Sequence, residues 1–408
     1  MRDNWQRVRL GDFVKITHGW PFKSEAFTEQ RSGKPIVVNV GNFRYEGGFR
    51  FESTTVKEYT GDYPKEYELQ AGDILLIMTC QTAGGEILGV PGRIPNDGKT
   101  YLHNQRLGKV IPKNPDRIDP DFIYYLALSP DFNRELYVSA SGTKILHTAP
   151  SRIEAFEFDL PPLEEQKAIA KILSSLDDKI ELNHRMNATL EAMARALFKA
   201  WFVDFEPVHA NKENRPSTST SPEIAKLFPS DFENGIPRGW NFKSLGEVAD
   251  VNWGDTSVTK QSYVPEGFSA FSASGNDGFL PYFDFDQTGI VVSAIGANSG
   301  FTWLARGKWS AIKNTITIFA SDKGMSTEYL FLATLGKDNW TLRGSAQPFL
   351  SQADTRGKNI LYPLENLGMV FGSFIEGFYQ RIEGNNLESS RLAEIRDSLL
   401  PRLISGRL

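Results

Sequence analysis

The stretch LPPLEEQKAIAKILSSLDDKIELN, residues 160–183, sets two adjacent prolines at the head of a long, regularly spaced apolar run. Pro161 and Pro162 suit a helix start, because the first amides of a helix have no carbonyl partner to lose. Glu164 and Glu165 follow in the first turn, where the positive end of the macrodipole favours carboxylates. Apolar residues then recur at spacings of three and four: Ile169, Leu173, Leu176 and Ile180, then Leu190, Ala194, Leu197 and Trp201. Asn183 and Asn187 take the two central seam positions. A seam this long predicts a coiled-coil helix of about 40 residues and about 60 Å.

The carboxyl terminus carries a second such seam: Phe371, Ile375, Phe378, Ile382, Asn385, Ser389, Leu392, Arg396, Leu399 and Leu403. If the two helices pair antiparallel about their polar centres, partners have residue numbers summing to 572. That register sets Asn183 against Ser389, Asn187 against Asn385, Ala194 against Phe378 and Trp201 against Phe371. Leu176 meets Arg396, whose stem is expected to cover apolar surface while its head reaches water.

The helices are one part of a longer duplication. WQRVRLGDFVKI from Trp5 matches WNFKSLGEVADV from Trp240: Trp, four residues, then Leu-Gly-acidic and an apolar run. DILLIMTCQTAGGEILG (73–89) matches GIVVSAIGANSGFTWL (289–304), each a strand, a glycine loop and a second strand. HNQRLGKVIP (103–112) aligns with KNTITIFAS (313–321), pairing Asn104 with Asn314. SGTKILHTAPSRIEAFEFDLPPL (141–163) aligns with RGSAQPFLSQADTRGKNILYPL (343–364). A period of roughly 200 residues is too long for a solenoid, so the chain reads as two copies of one unit. DPDFIYYLALSPDFNREL reads as one helical segment in the first globule, and STEYLFLATLGKDNW sits correspondingly in the second.

The predicted fold class is α+β, with two tandem globules, each followed by a long helix, and an antiparallel helix pair relating them by a pseudo-twofold axis. The expected boundaries are 1–160 for the first globule and 161–205 for the first helix. A linker (206–235), a second globule (236–362) and a second helix (363–408) follow. The Pro, Ser, Thr and Asn content of the linker predicts a surface connection without a core.

Composition narrows the classes. No run reaches the ~18 to 20 apolar residues of a membrane span, and MRDNWQRVRL lacks a hydrophobic signal core, so a cytoplasmic location is expected. A single cysteine, Cys80, excludes a disulfide framework and any multi-cysteine zinc site. The five histidines show no metal-ligand spacing, and no metal is expected.

The chain resembles the specificity subunit of type I restriction–modification systems along nearly all its length. The resemblance is carried by the duplicated Trp–x4–Leu-Gly-acidic opening, the loops TAGGEILG and GANSGFTWL, PPLEEQKAIAKILSSLDDKIELN, and the linker ending LFPSDFENGIPRGW. It implies that each globule is a target recognition domain reading one half of a bipartite double-stranded DNA sequence. It implies that the helices set the spacing and dock two modification subunits, which methylate adenine using S-adenosylmethionine. Restriction and motor subunits using ATP and Mg would join them, and this chain would hold no cofactor. One departure stands out: the Glu165-Gln166 pair after the prolines is not reproduced in YPLENLGMVFGSF.

The residues agree with a non-catalytic role. The nearest strings to an adenine-methyltransferase Asn/Asp-Pro-Pro-aromatic motif are NPDR at 114 and DPDF at 119, each with Asp where the second proline belongs. No Walker loop and no cofactor-type glycine loop between strand and helix are present. Net charge is −5, and residues 1–160 carry 20 Lys+Arg against 21 Asp+Glu, net −1. Residues 236–363 carry 11 against 11, net zero. A lone DNA binder usually shows a basic footprint, so local clustering of bases and help from partner subunits are both expected. The alternative is a standalone sequence-specific DNA-binding regulator, which would bind tightly alone.

Base readout uses Arg or Lys for guanine and Asn or Gln for adenine. The loop candidates in the first half are Lys23, Gln81, Thr82, Asn104, Gln105, Arg106, Lys144 and His147. In the second half they are Asn298, Ser299, Lys313, Asn314, Arg343, Gln347 and Ser351. Recurrence of Asn104 and Asn314 in both halves makes them as readily structural as base-reading. Segments 24–70 and 257–288, which differ most, are expected to carry the discrimination.

Overall fold

The computed structural model describes residues 4–28, 32–51, 55–81, 84–344, 347–364 and 366–407. The chain divides into two compact units, 1–183 with 387–408, and 184–386. Both divisions fall inside a long helix, Leu163–Phe202 or Leu367–Ile404. Each unit is therefore one globule completed by half of each helix.

In the first unit, Gln6–Arg9 pairs antiparallel with Glu157–Leu160, tying the start of the globule to the strand that leads into the first long helix. A four-stranded antiparallel sheet runs in the order Val14–His18, Leu107–Pro112, Ile74–Ile77, Pro91–Arg93. A five-stranded sheet is centred on Ile36–Val38, which pairs parallel with Tyr101–His103. The run Ile74–Ile77 is buried throughout because it is covered on both faces, so its side chains show no polar alternation. The second unit repeats the plan. Asn241–Ser244 pairs with Asn359–Tyr362, and a four-stranded sheet runs Ala249–Trp253, Thr315–Ala320, Gly289–Ser293, Thr302–Ala305. A second four-stranded sheet is built on Phe268–Ser272.

The Leu-Gly-acidic signature has a packing reason. A Cβ on Gly11 would stand 2.8 Å from Glu154 Cβ, and one on Gly246 would stand 3.1 Å from Arg356 Cβ. In both units a short helix, Pro150–Glu154 or Gln352–Arg356, lies against the glycine. Only glycine admits so close an approach without displacement.

Strand register corrects one part of the repeat alignment. His18 lies opposite Gly108 and Trp253 opposite Ile316. Leu107 lies opposite Ile77 and Thr315 opposite Ser293. The Met78 amide donates to the Arg106 carbonyl, as the Ala294 amide does to that of Asn314. Asn314 is therefore the counterpart of Arg106, Lys313 of Gln105, and Ile312 of Asn104. The pairing of Asn104 with Asn314 is wrong by two residues.

DPDFIYYLALSPDFNREL forms two helices, Pro120–Ala127 and Pro130–Ser139, because Ser129 caps the second and Pro130 opens it. The segment 206–235 is not a bare linker: it holds the helices Glu206–Lys212 and Pro222–Ala225. Val208 and Phe228 are buried in the second unit's core with Trp201 and Trp240, and Ala210 is buried as well. The Asn211 side chain ties the two short helices by donating to the Ala225 and Phe228 carbonyls. A Ser/Pro-rich composition hides three or four apolar anchors that are enough to dock it.

The seam residues pair antiparallel inside each unit. In the first, Asn183 Nδ2 donates to Ser389 Oγ (3.3 Å) and Glu388 Oε2 (2.9 Å). In the second, Asn385 Nδ2 donates to Asn187 Oδ1 at 2.7 Å, and Trp201 meets Phe371 edge-on at 5.4 Å. Leu173, Ala194, Ile375, Asn183, Asn187, Asn385 and Ser389 are buried. Ile180, Leu190, Leu197, Phe378, Ile382, Leu392 and Leu399 are half-buried. Arg396 departs from expectation. Its head does not reach water: the residue is 6% exposed, and the guanidinium binds Asp177 at 2.8 Å and Asp397. Tyr379 and Leu400 are also buried, and the seam pattern missed both.

The Glu-Gln departure now has a physical account. Gln166 is fully buried; its oxygen accepts the Asp119 amide (2.8 Å) and its nitrogen donates to the Arg117 and Pro161 carbonyls. It thus joins the head of the first long helix to the loop before Pro120–Ala127. In the second unit the corresponding helix position is Gly368, where a Cβ would stand 2.8 Å from the Gly324 carbonyl oxygen. One copy bridges with a side chain and the other by direct backbone contact. Likewise Glu165 accepts the Trp5 indole N–H at 3.1 Å, whereas Leu367 leaves the buried Trp240 indole N–H without a partner. We expect Gln166→Ala to cost about 1–3 kcal/mol, since it strands a part-buried amide and two carbonyls, one of them buried. Urea unfolding of the first unit would read this, and an unchanged midpoint would refute it.

Candidate nucleic-acid interface

In the first unit, four of the candidate readers converge at one end of the Val14–His18 and Leu107–Pro112 strands. A recess of about 380 Å³ is lined by His18, Gly19, Met78, Thr79, Gln105, Arg106, His147 and Thr148. A second, of about 300 Å³, is lined in part by Tyr45, Arg50, Thr79, Gln81 and Arg106. Thr79 and Arg106 belong to both, so the two recesses adjoin.

Local folding explains the convergence. His147 sits on the two-residue strand Leu146–His147, which pairs with Thr79–Cys80, and its Nδ1 lies 3.1 Å from Thr79 Oγ1. Gly19 lets Val14–His18 pass close beneath the 103–104 backbone: a Cβ there would fall 2.2 Å from the His103 carbonyl oxygen. The Thr148 hydroxyl lies at the buried edge, 7% exposed and unpartnered. His103, behind the turn, is pushed down to about 4 by burial, so it stays neutral and packs as part of the core.

Asn104 does not face the recesses. Its Nδ2 donates to Asn39 Oδ1 (3.1 Å) and its Oδ1 accepts the Arg106 amide (3.0 Å), so both ends of the amide hold the turn. Lys23 and Lys144 are exposed and line neither recess. Thr82 lies outside the described residues. His18, Thr79, Thr148, Tyr45 and Arg50 were not anticipated. His18 was accessible from sequence, since it aligns with Trp253 at the end of the repeated strand.

The second unit is less polar at the same place. Trp253 replaces His18, and Phe349 replaces His147 in the same backbone ladder, where Arg343 pairs with Phe349 as Ser141 pairs with His147. Trp253, Phe301 and Phe349 are exposed, and Lys337 lies 4.4 Å over the Phe301 ring. Such exposed rings beside cations can stack on bases. Lys313 is exposed and Asn314 half-exposed. Asn298 and Gln347 carry no side-chain hydrogen bond among the described residues. Three candidates are committed to the fold instead. Ser299 is wholly buried and donates to the Pro348 carbonyl at 2.7 Å. Ser351 caps the helix Gln352–Arg356 by accepting the Asp354 amide. Arg343 is ion-paired to Asp354 at 2.6 Å, a carboxyl held below its ordinary range by the Ser351 hydroxyl and then by that guanidinium.

Among the described residues no cluster of His, Cys, Asp and Glu could hold a metal, and no helix is long and apolar enough to cross a membrane. Residues 2–192 match the family model for the type I restriction modification DNA specificity domain. The chain is 26% identical to the type I restriction enzyme HindI specificity subunit of Haemophilus influenzae, covering 99% of this chain and all of that one. It is 26% identical to the MjaIX specificity subunit of Methanocaldococcus jannaschii, over 75% of this chain and 72% of that one. In fold it is similar to the S subunit of a type I restriction–modification system from M. genitalium. The TM-score is 0.57 at 18% identity, covering 98% of this chain and 96% of the other.

Proposed function

We propose that this chain, which belongs to the family of type I restriction specificity subunits and serves DNA recognition, reads a bipartite double-stranded target with one unit per half-site. The observation that carries the proposal is the repeated strand register. Two copies of one scaffold present loops at equivalent points, while the side chains there differ, His147 against Phe349 and Gln105-Arg106 against Lys313-Asn314. One scaffold with two sets of contacts suits two different half-sites.

The helices are proposed to set the spacing and to dock modification subunits, with S-adenosylmethionine, ATP and Mg belonging to the partners. This chain contributes recognition and no catalytic group. Its near-neutral globules leave much of the phosphate neutralisation to the assembly.

The test compares adenine methylation across the host genome with and without this gene. Loss of one bipartite motif is the expected result; an unchanged methylation pattern would count against the proposal. In parallel, the isolated chain should bind duplex DNA weakly, with affinity falling steeply with salt. Tight binding by the isolated chain at moderate salt would favour the standalone regulator.

A further inference from the structure

We propose that Arg106 and Asn314 are the paired base-reading residues of the two units, Arg106 taking a guanine in one half-site and Asn314 an adenine in the other. This rests on the reading of the chain as a two-half-site DNA reader and adds the bases.

The equivalence comes from backbone geometry. Each residue ends a two-residue turn at the equivalent place, precedes the equivalent strand, and has its carbonyl held by the amide of the facing strand's end, Met78 or Ala294. The fold thus immobilises both backbones and leaves both side chains unused. Among the described residues neither the Arg106 guanidinium nor the Asn314 amide makes a hydrogen bond or ion pair. Arg106 divides the two recesses, with Gln81 in one and Gln105 in the other. That company suits base edges, which present donors and acceptors together, more than phosphate, which only accepts. Asn314 adopts φ +70°, a left-handed conformation that asparagine tolerates better than most residues, so the turn and the reader are served by one side chain.

The chemistry then assigns the bases. A guanidinium fork matches guanine O6 and N7, and a carboxamide matches adenine N7 and N6. The preceding residues reverse the types, Gln105 before Arg106 and Lys313 before Asn314. The two units therefore offer one amide and one cation each, in opposite order, and cannot read the same dinucleotide.

The experiment is selection of duplexes from a fully randomised DNA library by the full-length chain at low salt, for wild type, Arg106→Ala, Arg106→Asn and Asn314→Asp. The last is nearly isosteric and keeps the left-handed turn. Wild type should return a bipartite motif with a guanine in one half and an adenine in the other. Arg106→Ala should lose roughly tenfold to a hundredfold discrimination at that guanine alone, and Arg106→Asn should shift the preference there to adenine. Asn314→Asp should relax the adenine in the other half only. Equal weakening on all sequences, relaxation in both halves, or an unchanged motif in these variants overturns the assignment while leaving two-site recognition standing. A wild-type chain that selects no motif overturns both.

Discussion

Cutting the chain after Asn386 is expected to unfold the first unit, although the cut lies 226 residues beyond that unit's last strand, Glu157–Leu160. Leu400 and Leu403 are 6% and 4% exposed and lie in the same core cluster as Ile169, Leu173, Phe122 and Leu10. Leu399 and Ile404 pack against its edge. Removing one such leucine typically costs about 2–5 kcal/mol. Losing the whole segment approaches or exceeds the roughly 5–15 kcal/mol that holds an ordinary domain. Hydrogen exchange should show the amides of Ile74–Ile77 and Leu107–Pro112 losing protection in the truncated chain, while those of Gly289–Ser293 keep theirs. Persistent protection of the first set would show that the carboxyl-terminal half-helix is dispensable. Leu403→Ala, a milder change, should lower the first unit's stability by about 2–5 kcal/mol without unfolding it.

Asp177→Ala is the second large effect. Asp177 receives the Arg396 guanidinium at 2.8 Å and the Tyr125 hydroxyl at 2.8 Å. Deleting it leaves a nearly buried cation with only the exposed Asp397 as partner. Breaking a buried pair from one side costs about 3–5 kcal/mol. Asp177 keeps about a quarter of its side chain exposed, so the low end of that range, about 3 kcal/mol, is expected. The double variant Asp177→Ala with Arg396→Met should recover most of the loss, because the uncompensated charge goes with it. Equilibrium unfolding of the two variants distinguishes the cases: no recovery in the double variant would mean that Asp177 acts through Tyr125 instead.

Part of the grouping of polar loop residues in the first unit is legible in the sequence. Gln81, Gln105, Arg106 and His147 are loop residues with paired donors and acceptors, and they line adjoining recesses. The same criterion also picked out Ser299 and Ser351, since a hydroxyl that satisfies a carbonyl or caps a helix looks no different in sequence from one that faces DNA. Asn104 and Asn314 share a residue type and a local pattern, yet one braces a turn and the other has no side-chain partner among the described residues. Thr148 and Arg50 join the lining of the recesses through tertiary contact alone, and no spacing rule marks them.

The duplication, the two long helices and the polar centre of each seam are readable in the chain because they are periodic or local properties. Alternation at three and four specifies a helix wherever it occurs, and a glycine that must admit a neighbouring helix recurs in both copies. Which residues are equivalent between the copies is fixed by strand pairing in the fold. A shift of two along a strand preserves the alternation of faces, so a sequence match in error by two residues carries no visible penalty. Strand pairing removes the ambiguity, because backbone hydrogen bonds fix each residue opposite one partner. The same holds for Arg396: its place on the seam was readable, but the carboxylate that keeps it buried lies 219 residues away.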